Sequence, residues 1–507
     1  MRLLGALACG LLITSSIPPF TLWPLAWMGM AGFALLVVGQ RMRWRVAVGF
    51  AVGVGQYAVA LWWVNEFQSV GYVVLVVVCA LYTAAAAAIT PGRRPVGALL
   101  GLPAALTALE WLRDRWPLGG FPLGSVALGQ ANSPLVPLTR LGGSLALTAG
   151  TALAGAALAA AVLAVGTRGG RRERAAAPLA LAALVVAATL AGTWSPAGGP
   201  AGGAIRVALV QGGGPRGTRA VFTDPDVVFA RQEAASARLR PPVALVVWPE
   251  GMLQAHIDYR KTNGAHYLAG LARRLHATVV AGVEQDVGAS HYLNQVVAWG
   301  PDGRTVGAYE KNIRVPFGEY VPWRSVIGRI FSLRLVPRDA IAGHGPGVLR
   351  TPAATLGVMI SYEVFFDRRA WSGVRAGGRL LVVPTDTASY ASSQVPAQEV
   401  AADRLRAWET GRVLVQVTPT GYSDVVGVTG RVEQESGLGS PDVIVATVPL
   451  RRGRTVFDQA GEWPVAVAAV VALALMWAAV GVGNRRRRAV PAPAPPGAAP
   501  KVKSGPI

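Results

Sequence analysis

Eight apolar runs constrain this chain more than any other feature of it. They fall near 3–17, 24–40, 46–64, 70–89, 95–112, 145–165, 176–193 and 464–483. A helix needs roughly 17–25 apolar residues to cross a bilayer, and the runs reach or approach that length. In hydrocarbon every backbone amide must find its partner inside the chain, so such runs insert as helices. The first run, with Arg2, an apolar centre and Ser15-Ser16, has the outline of a signal peptide. Seven further runs exclude a simple secreted protein. Composition points the same way: 52% of the 507 residues are hydrophobic and 15% charged, with a mean hydropathy of +0.40.

Charge orders the spans. The formal net charge is +21, and basic clusters stand at 41–45, 93–94, 168–174 and 485–488. With the N-terminus inside, the loops after spans two, four and six and the tail after span eight are cytoplasmic, and these hold the four clusters. The loop after span three carries Glu66 and no basic residue; the loop at 113–144 is mixed. The long polar stretch between spans seven and eight is therefore expected outside the cytoplasm. Positive charge that orients spans is not a nucleic-acid surface, and no nucleic-acid-reading module is visible. Cys9 and Cys79 both lie in apolar runs and read as small hydrophobes, so the polar part has no disulfide framework. The expected organisation is 1–195 for transmembrane helices one to seven, 200–460 for the exposed domain, 464–483 for the eighth helix and 484–507 for a Pro- and Ala-rich disordered cytoplasmic tail.

Within the exposed stretch, short apolar strand runs occur at 205–210, 243–247, 278–283, 293–299, 357–360 and 380–383. Helical patterns lie between them at 226–240, 266–275 and 397–409. This alternation predicts an α/β sandwich, and later strands at 413–417, 425–428 and 443–448 favour a mixed sheet. In such folds ligands sit beyond the carboxyl ends of strands. Glu250, Lys311 and Ser361 stand at three such ends. Each has a plain reading alone: a helix cap, a surface lysine, a turn serine. Together they are the parts that acyl transfer needs. The acid takes the nucleophile's proton, and the ammonium stabilises the oxyanion. Lys311 is one of four lysines in a chain whose usual cation is arginine, which suggests a need for a compact ammonium. His256, His266, His276, His291 and His344 show no metal-ligand spacing and read as structural. No metal or cofactor motif is present, and none is expected.

The motifs VVWPEG, YEKNIRVPFGEYVP and GVMISYEVFFD resemble, in order and spacing, those of the nitrilase superfamily. The placement of the domain between spans seven and eight, GGFPLGSVALGQ at 119–130 and RLRAWETGRVLVQVTPTGYS at 404–423 resemble one branch of it, the apolipoprotein N-acyltransferases. The resemblance covers the chain to about residue 483. It implies an α-β-β-α sandwich on a multi-pass helical membrane domain in a bacterial plasma membrane, with the sandwich on the extracytoplasmic side. It implies Glu250 as general base, Lys311 as oxyanion stabiliser and Ser361 at the nucleophile position. Glu319 would support the lysine, and Tyr362 and Glu363 would be supporting or substrate-binding residues. The implied substrates are a phospholipid acyl donor and a diacylated apolipoprotein acceptor, and the protein would act as a monomer. The chain departs from the family at Ser361, where the family has cysteine, and at Pro384-Thr385-Asp386-Thr-Ala-Ser-Tyr. These departures keep two alternatives open: a catalytically weakened paralogue or Cys→Ser variant that binds lipid or lipoprotein, and a membrane-tethered amidase.

Overall fold

The computed structural model describes residues 1–488 except 93, 166–170, 219, 330–332 and 335. Of the tail expected to be disordered at 484–507, residues 484–488 continue the last helix, and the rest, from residue 489, lies outside the described residues. Seven helices come first: α1 (Arg2–Thr14), α2 (Pro24–Val37), α3 (Met42–Ala60), α4 (Ser69–Ile89), α5 (Pro95–Arg113), α6 (Thr139–Val165) and α7 (Arg171–Trp194). The final helix, α14 (Trp463–Arg488), returns to pack against α5 and α6. Each of the eight apolar runs overlaps one of these helices. Stretches of α4, α5, α6, α7 and α14 are long and apolar enough to cross a membrane. α1 and α2 are shorter, at 13 and 14 residues. At 1.5 Å per residue each rises only about 20 Å, against a hydrocarbon core of about 30 Å. Pro18-Pro19 and a left-handed Thr21 break the chain between them.

Between α7 and α14 the chain forms two sheets. The first contains β1 (Gly199–Gln211), β2 (Leu245–Val247), β3 (Leu253–Ala255), β4 (Thr278–Val287), β5 (His291–Trp299), β6 (Thr305–Glu310), β7 (Asp339–Ile341) and β14 (Asp442–Arg452). Its order is β14-β1-β2-β4-β5-β6, with β3 on β4 and β7 on β5. The second runs β13 (Val432–Glu435), β12 (Asp424–Val426), β11 (Leu414–Val417), β10 (Leu380–Pro384), β9 (Thr355–Val358), β8 (Val348–Arg350). Both sheets are mixed, as the later strand runs suggested: β1-β2-β4 and β9-β10-β11 are parallel, and the outer pairs are antiparallel.

Alternation along the strands builds the layers. Val247, Val280 and Val296 from one sheet meet Val358, Val382 and Val415 from the other in a shared core. On the far side of the first sheet, Val246, Val279, Ala281 and Val297 pack under α8 (Pro225–Ser236) and α9 (Asn263–Leu275). On the far side of the second, Leu381, Val383 and Leu414 pack with α11 (Asp367–Arg375) and α12 (Val395–Thr410). That outer layer is continuous with Tyr57, Leu61, Leu123 and Leu147 of the helical part. The result is the α-β-β-α sandwich, with one helical layer resting on the membrane helices. Two short helices, α10 (Arg324–Ile327) and α13 (Val456–Ala460), complete the fold.

Polar contacts lock the two parts together. α6 is interrupted at Gly142 and at Gly143, which has φ +64°. Its second half starts at Ser144, whose N–H and hydroxyl donate to Asp367 at 2.5 and 2.9 Å. A helix start needs such an acceptor for its free amides. A Cβ on residue 143 would collide with that same carboxylate. Arg406 from α12 pairs with Asp367 at 2.5 Å and donates to Ser144 Oγ at 2.7 Å. Gln398, also on α12, donates to Ala60 O and accepts from Gly124 N, each at 3.3 Å.

Arg406 is 1% exposed, and breaking a buried ion pair by removing one partner typically costs about 3–5 kcal/mol. Asp367→Ala should therefore lower the thermal midpoint of the detergent-solubilised protein by several degrees. An unchanged midpoint would show that this clasp contributes nothing to stability.

Candidate active site

The parallel strands β2 and β4 end side by side, and the chain after β2 turns at Trp248-Pro249-Glu250-Gly251. Gly282 on β4 makes room for this turn: a Cβ there would lie 2.5 Å from Glu250 Cα and from Pro249 O. Lys311 follows β6, and its N–H donates to Asn294 O on β5 at 2.8 Å. Its ammonium donates to Glu250 Oε1 and Glu319 Oε1, each at 2.8 Å. Asn294 Nδ2 donates to the same two oxygens, at 2.7 and 2.8 Å. The second oxygen of Glu250 accepts from Asp386 N at 3.0 Å, and that of Glu319 from Val315 N at 2.7 Å.

Glu250, Lys311, Glu319 and Asn294 are all buried. Burial works against the lysine's charge, yet Glu250 and Glu319 more than offset this and hold it well above its ordinary range. Lys311 is thus a fixed cation at any working pH. An isolated ammonium here would be neutral or unfolded. Two of the residues expected at the site, Glu250 and Glu319, are therefore brought together through the third, Lys311.

Ser361 stands where β9 gives way to a single 3₁₀ turn at Ser361–Phe365. It is half-buried, and its φ is +48°. A non-glycine residue in the left-handed region is uncommon, and such strain is held by its surroundings. Here the holder is Glu363, which is completely buried. Its Oε2 accepts from Ile360 N at 2.9 Å, and its Oε1 accepts from Asn312 N and Ile313 N at 2.9 and 3.0 Å. Tyr309 Oη donates to both oxygens, and Arg369 donates to Tyr309 Oη. One carboxylate therefore binds the backbone before Ser361 and the backbone just after Lys311. Tyr362 turns toward the membrane part instead. Its hydroxyl donates to Gly120 O at 3.2 Å, and its ring meets Phe366 edge-on at 5.0 Å.

The sequence reading missed Asn294, Glu284, Tyr309 and Arg369. Asn294 is the hub of the carboxylates, but only strand register brings it there. The departing segment 385–390 contributes its own contacts. Thr385 Oγ1 donates to Glu399 at 3.1 Å, and Tyr390 packs on Trp63 and Phe67 at ring separations of 5.2 and 5.0 Å.

A nitrilase-type sandwich with an acid–lysine–acid cluster at its strand ends, docked on apolar helices, defines a membrane-bound carbon–nitrogen hydrolase class. The family model described as carbon-nitrogen hydrolase matches residues 206–456, and that described as apolipoprotein N-acyltransferase N-terminal domain matches 9–157. The apolipoprotein N-acyltransferase of Azotobacter vinelandii is 30% identical over 93% of this chain and 94% of that relative. That of Geobacter metallireducens is 28% identical over 93% and 94%. A solved amidase of the nitrilase superfamily from Nesterenkonia is 21% identical, covering 49% of this chain and 92% of its own, with a TM-score of 0.35. The chain belongs to the apolipoprotein N-acyltransferase family.

Glu363→Gln replaces four-way acceptance by an amide that accepts at one atom only. Leaving buried N–H groups unpaired costs about 1–3 kcal/mol. The variant should lose several degrees of thermal midpoint. A midpoint equal to that of the unaltered protein would remove Glu363 from this role.

Proposed function

We propose that this protein N-acylates lipoproteins: it takes an acyl chain from a phospholipid and delivers it to the α-amine of an S-diacylglyceryl-cysteine. Family membership supports the activity, and the Glu250–Lys311–Glu319 cluster is the observation that carries the mechanism. In the first step Ser361 Oγ attacks the donor's ester carbonyl while Glu250 accepts the hydroxyl proton. Lys311, with backbone amides, stabilises the oxyanion of the tetrahedral intermediate. Collapse expels the lysophospholipid oxygen, which takes the proton from Glu250, and leaves an acyl ester on Ser361. In the second step the acceptor's amine attacks that ester, passes a proton to Glu250, and the returning proton restores the Ser361 hydroxyl. The chain ends as an amide on the lipoprotein. Glu319 and Asn294 keep Lys311 and Glu250 aligned and do not exchange protons with substrate.

The reading extends to organisation. Residues 1–195 form the first seven membrane helices, 200–460 the catalytic domain, 464–483 the eighth helix, and 484–507 a cytoplasmic tail. The basic clusters support an extracytoplasmic catalytic domain. Donor and acceptor are both held in the membrane, so a site beside its surface meets them at high local concentration.

Serine at the nucleophile position shapes the test. An unperturbed thiol ionises near pH 8.5, whereas a hydroxyl depends on its base. Purified protein in phospholipid, given a diacylated lipopeptide, should yield triacylated product by mass. Ser361→Ala should abolish it, and Lys311→Ala should lower the rate by about two to three orders of magnitude. Ser361→Cys should remain active. Product from Ser361→Cys alone, with none from the unaltered protein, would replace this reading with that of a weakened paralogue. Release of ammonia from simple amides, without lipopeptide product, would favour the amidase.

A further inference from the structure

The proposed mechanism leaves one nearby carboxylate unused. Along β4, Val279, Ala281 and Val283 point into the core under α8 and α9, while Val280 points into the core between the sheets. Successive side chains alternate, so Glu284 lies on the inter-sheet face, on the side of Gly282 and the Glu250 turn. Its register partner on β5 is Asn294, the residue that donates to both Glu250 and Glu319. Its partner on β3 is Gln254. A Cβ on Gly251 would stand 3.3 Å from Glu284 Oε1, so the carboxylate lies against the turn that carries Glu250. Lys311 is already paired with Glu250 and Glu319, which leaves Glu284 as an additional acid around one fixed cation.

We propose that Glu284, lying against the turn that carries Glu250 and opposite Asn294, is a positioning residue of the acyl transfer that strengthens Glu250 as a base once Glu284 itself ionises. The inference rests on the acyl-transfer reading above. Lys311, Glu250 and Glu319 together carry one net negative charge. Burial, then the charges of Glu250, Glu319 and Asp386, push Glu284 up to about 8, against the opposing pull of Lys311. At neutral pH Glu284 is therefore a neutral acid. Its ionisation adds a second negative charge beside Glu250, and a carboxylate next to like charge is a stronger base.

The groups around it can be named from every side. Glu250 comes from the turn after β2, and Lys311 and Glu319 from the chain after β6. Asp386 comes from the chain after β10, and Tyr292 from β5. On its own strand, Asp286 follows two residues on and is paired with His256 and Arg338. His266, Arg273 and Arg274 belong to α9, which packs on the opposite face of β4.

The test compares the unaltered protein with Glu284→Gln and Glu284→Asp, using the lipopeptide assay and thermal unfolding in detergent from pH 5 to 9. A carboxyl with a folded pKa raised above its unfolded value of about 4.3 holds more protons in the folded state. Its contribution is therefore fully present below pH 4 and is lost as pH rises through 8. Other buried acids such as Glu399, also pushed up to about 8, tilt all three proteins alike, so the difference isolates Glu284. The expected result is a shallower fall of midpoint in Glu284→Gln between pH 5 and 9, with Glu284→Asp close to the unaltered protein. In kcat/KM, the unaltered protein and Glu284→Asp should show a rise near pH 8 that Glu284→Gln lacks. The profiles should diverge above pH 8, with the Glu284→Gln rate several-fold below that of the unaltered protein at pH 9. Identical midpoint slopes in all three would show that Glu284 holds no proton and overturn the proposal. A changed slope with superimposable rate profiles would overturn the role in acyl transfer. An unaltered protein without product at any pH would defeat the acyl-transfer reading and this role with it, while the slopes still report the proton.

Discussion

A lysine ammonium enclosed by protein is tolerated only when its charge is matched, and Lys311 is matched twice over. Glu250 and Glu319 reach it from two different loops, and Asn294 holds both carboxylates at the same oxygens. Removing the lysine would leave two buried carboxylates without their cation, where the penalty is several kcal/mol. The cluster therefore ties together the ends of β2, β5 and β6 in addition to their backbone pairing. It also means that the groups assigned to catalysis are oriented before substrate arrives, which is how charged groups contribute most to a transition state.

A second buried carboxylate carries this rigidity to the nucleophile position. Glu363 joins the backbone ahead of Ser361 to the backbone after Lys311, and it holds Ser361 in a conformation that a non-glycine residue rarely adopts. The next residue, Tyr362, reaches the Gly120 carbonyl in the segment between α5 and α6. Arg368 donates to Asp114 O and Gly119 O in the same segment, each at 2.8 Å. The turn at Ser361 is thus gripped from the sandwich on one side and from the helical part on the other. In the proposed acyl transfer, with substrates that stay in the membrane, this double grip would fix the reacting oxygen relative to the membrane.

Much of this was legible in the sequence. Apolar runs marked all eight helices, and short apolar strands with intervening helices marked the sandwich. The positions of Glu250, Lys311 and Ser361 just past β2, β6 and β9 were visible, because each follows a short strand run. Glu319 and Glu363 were visible only through the family's motif. Asn294 and Glu284 were hidden for a physical reason: each looks like an ordinary polar strand residue until the antiparallel register sets them opposite one another. The interruption of α6 was hidden too. A Gly-Gly pair inside an apolar run is compatible with a straight helix, and only the approach of Asp367, more than two hundred residues away, selects the break. Hydropathy likewise drew α1 and α2 longer than they are, because residues 15–17 and 38–40, just past each helix, extend the runs without being helical.

In the proposed mechanism an oxygen at position 361 does the work that a thiol does in a thiol enzyme. A hydroxyl needs a strong neighbouring base, and a base is strengthened by negative charge nearby. The central claim is that this hydroxyl carries the acyl group between donor and acceptor. The direct measurement is peptide mass spectrometry on the protein incubated with phospholipid in the absence of lipopeptide. The account predicts an acyl ester on the peptide containing Ser361, discharged when lipopeptide is added. An acyl group found on another residue, or release of lysophospholipid with Ser361 unmodified, would contradict it.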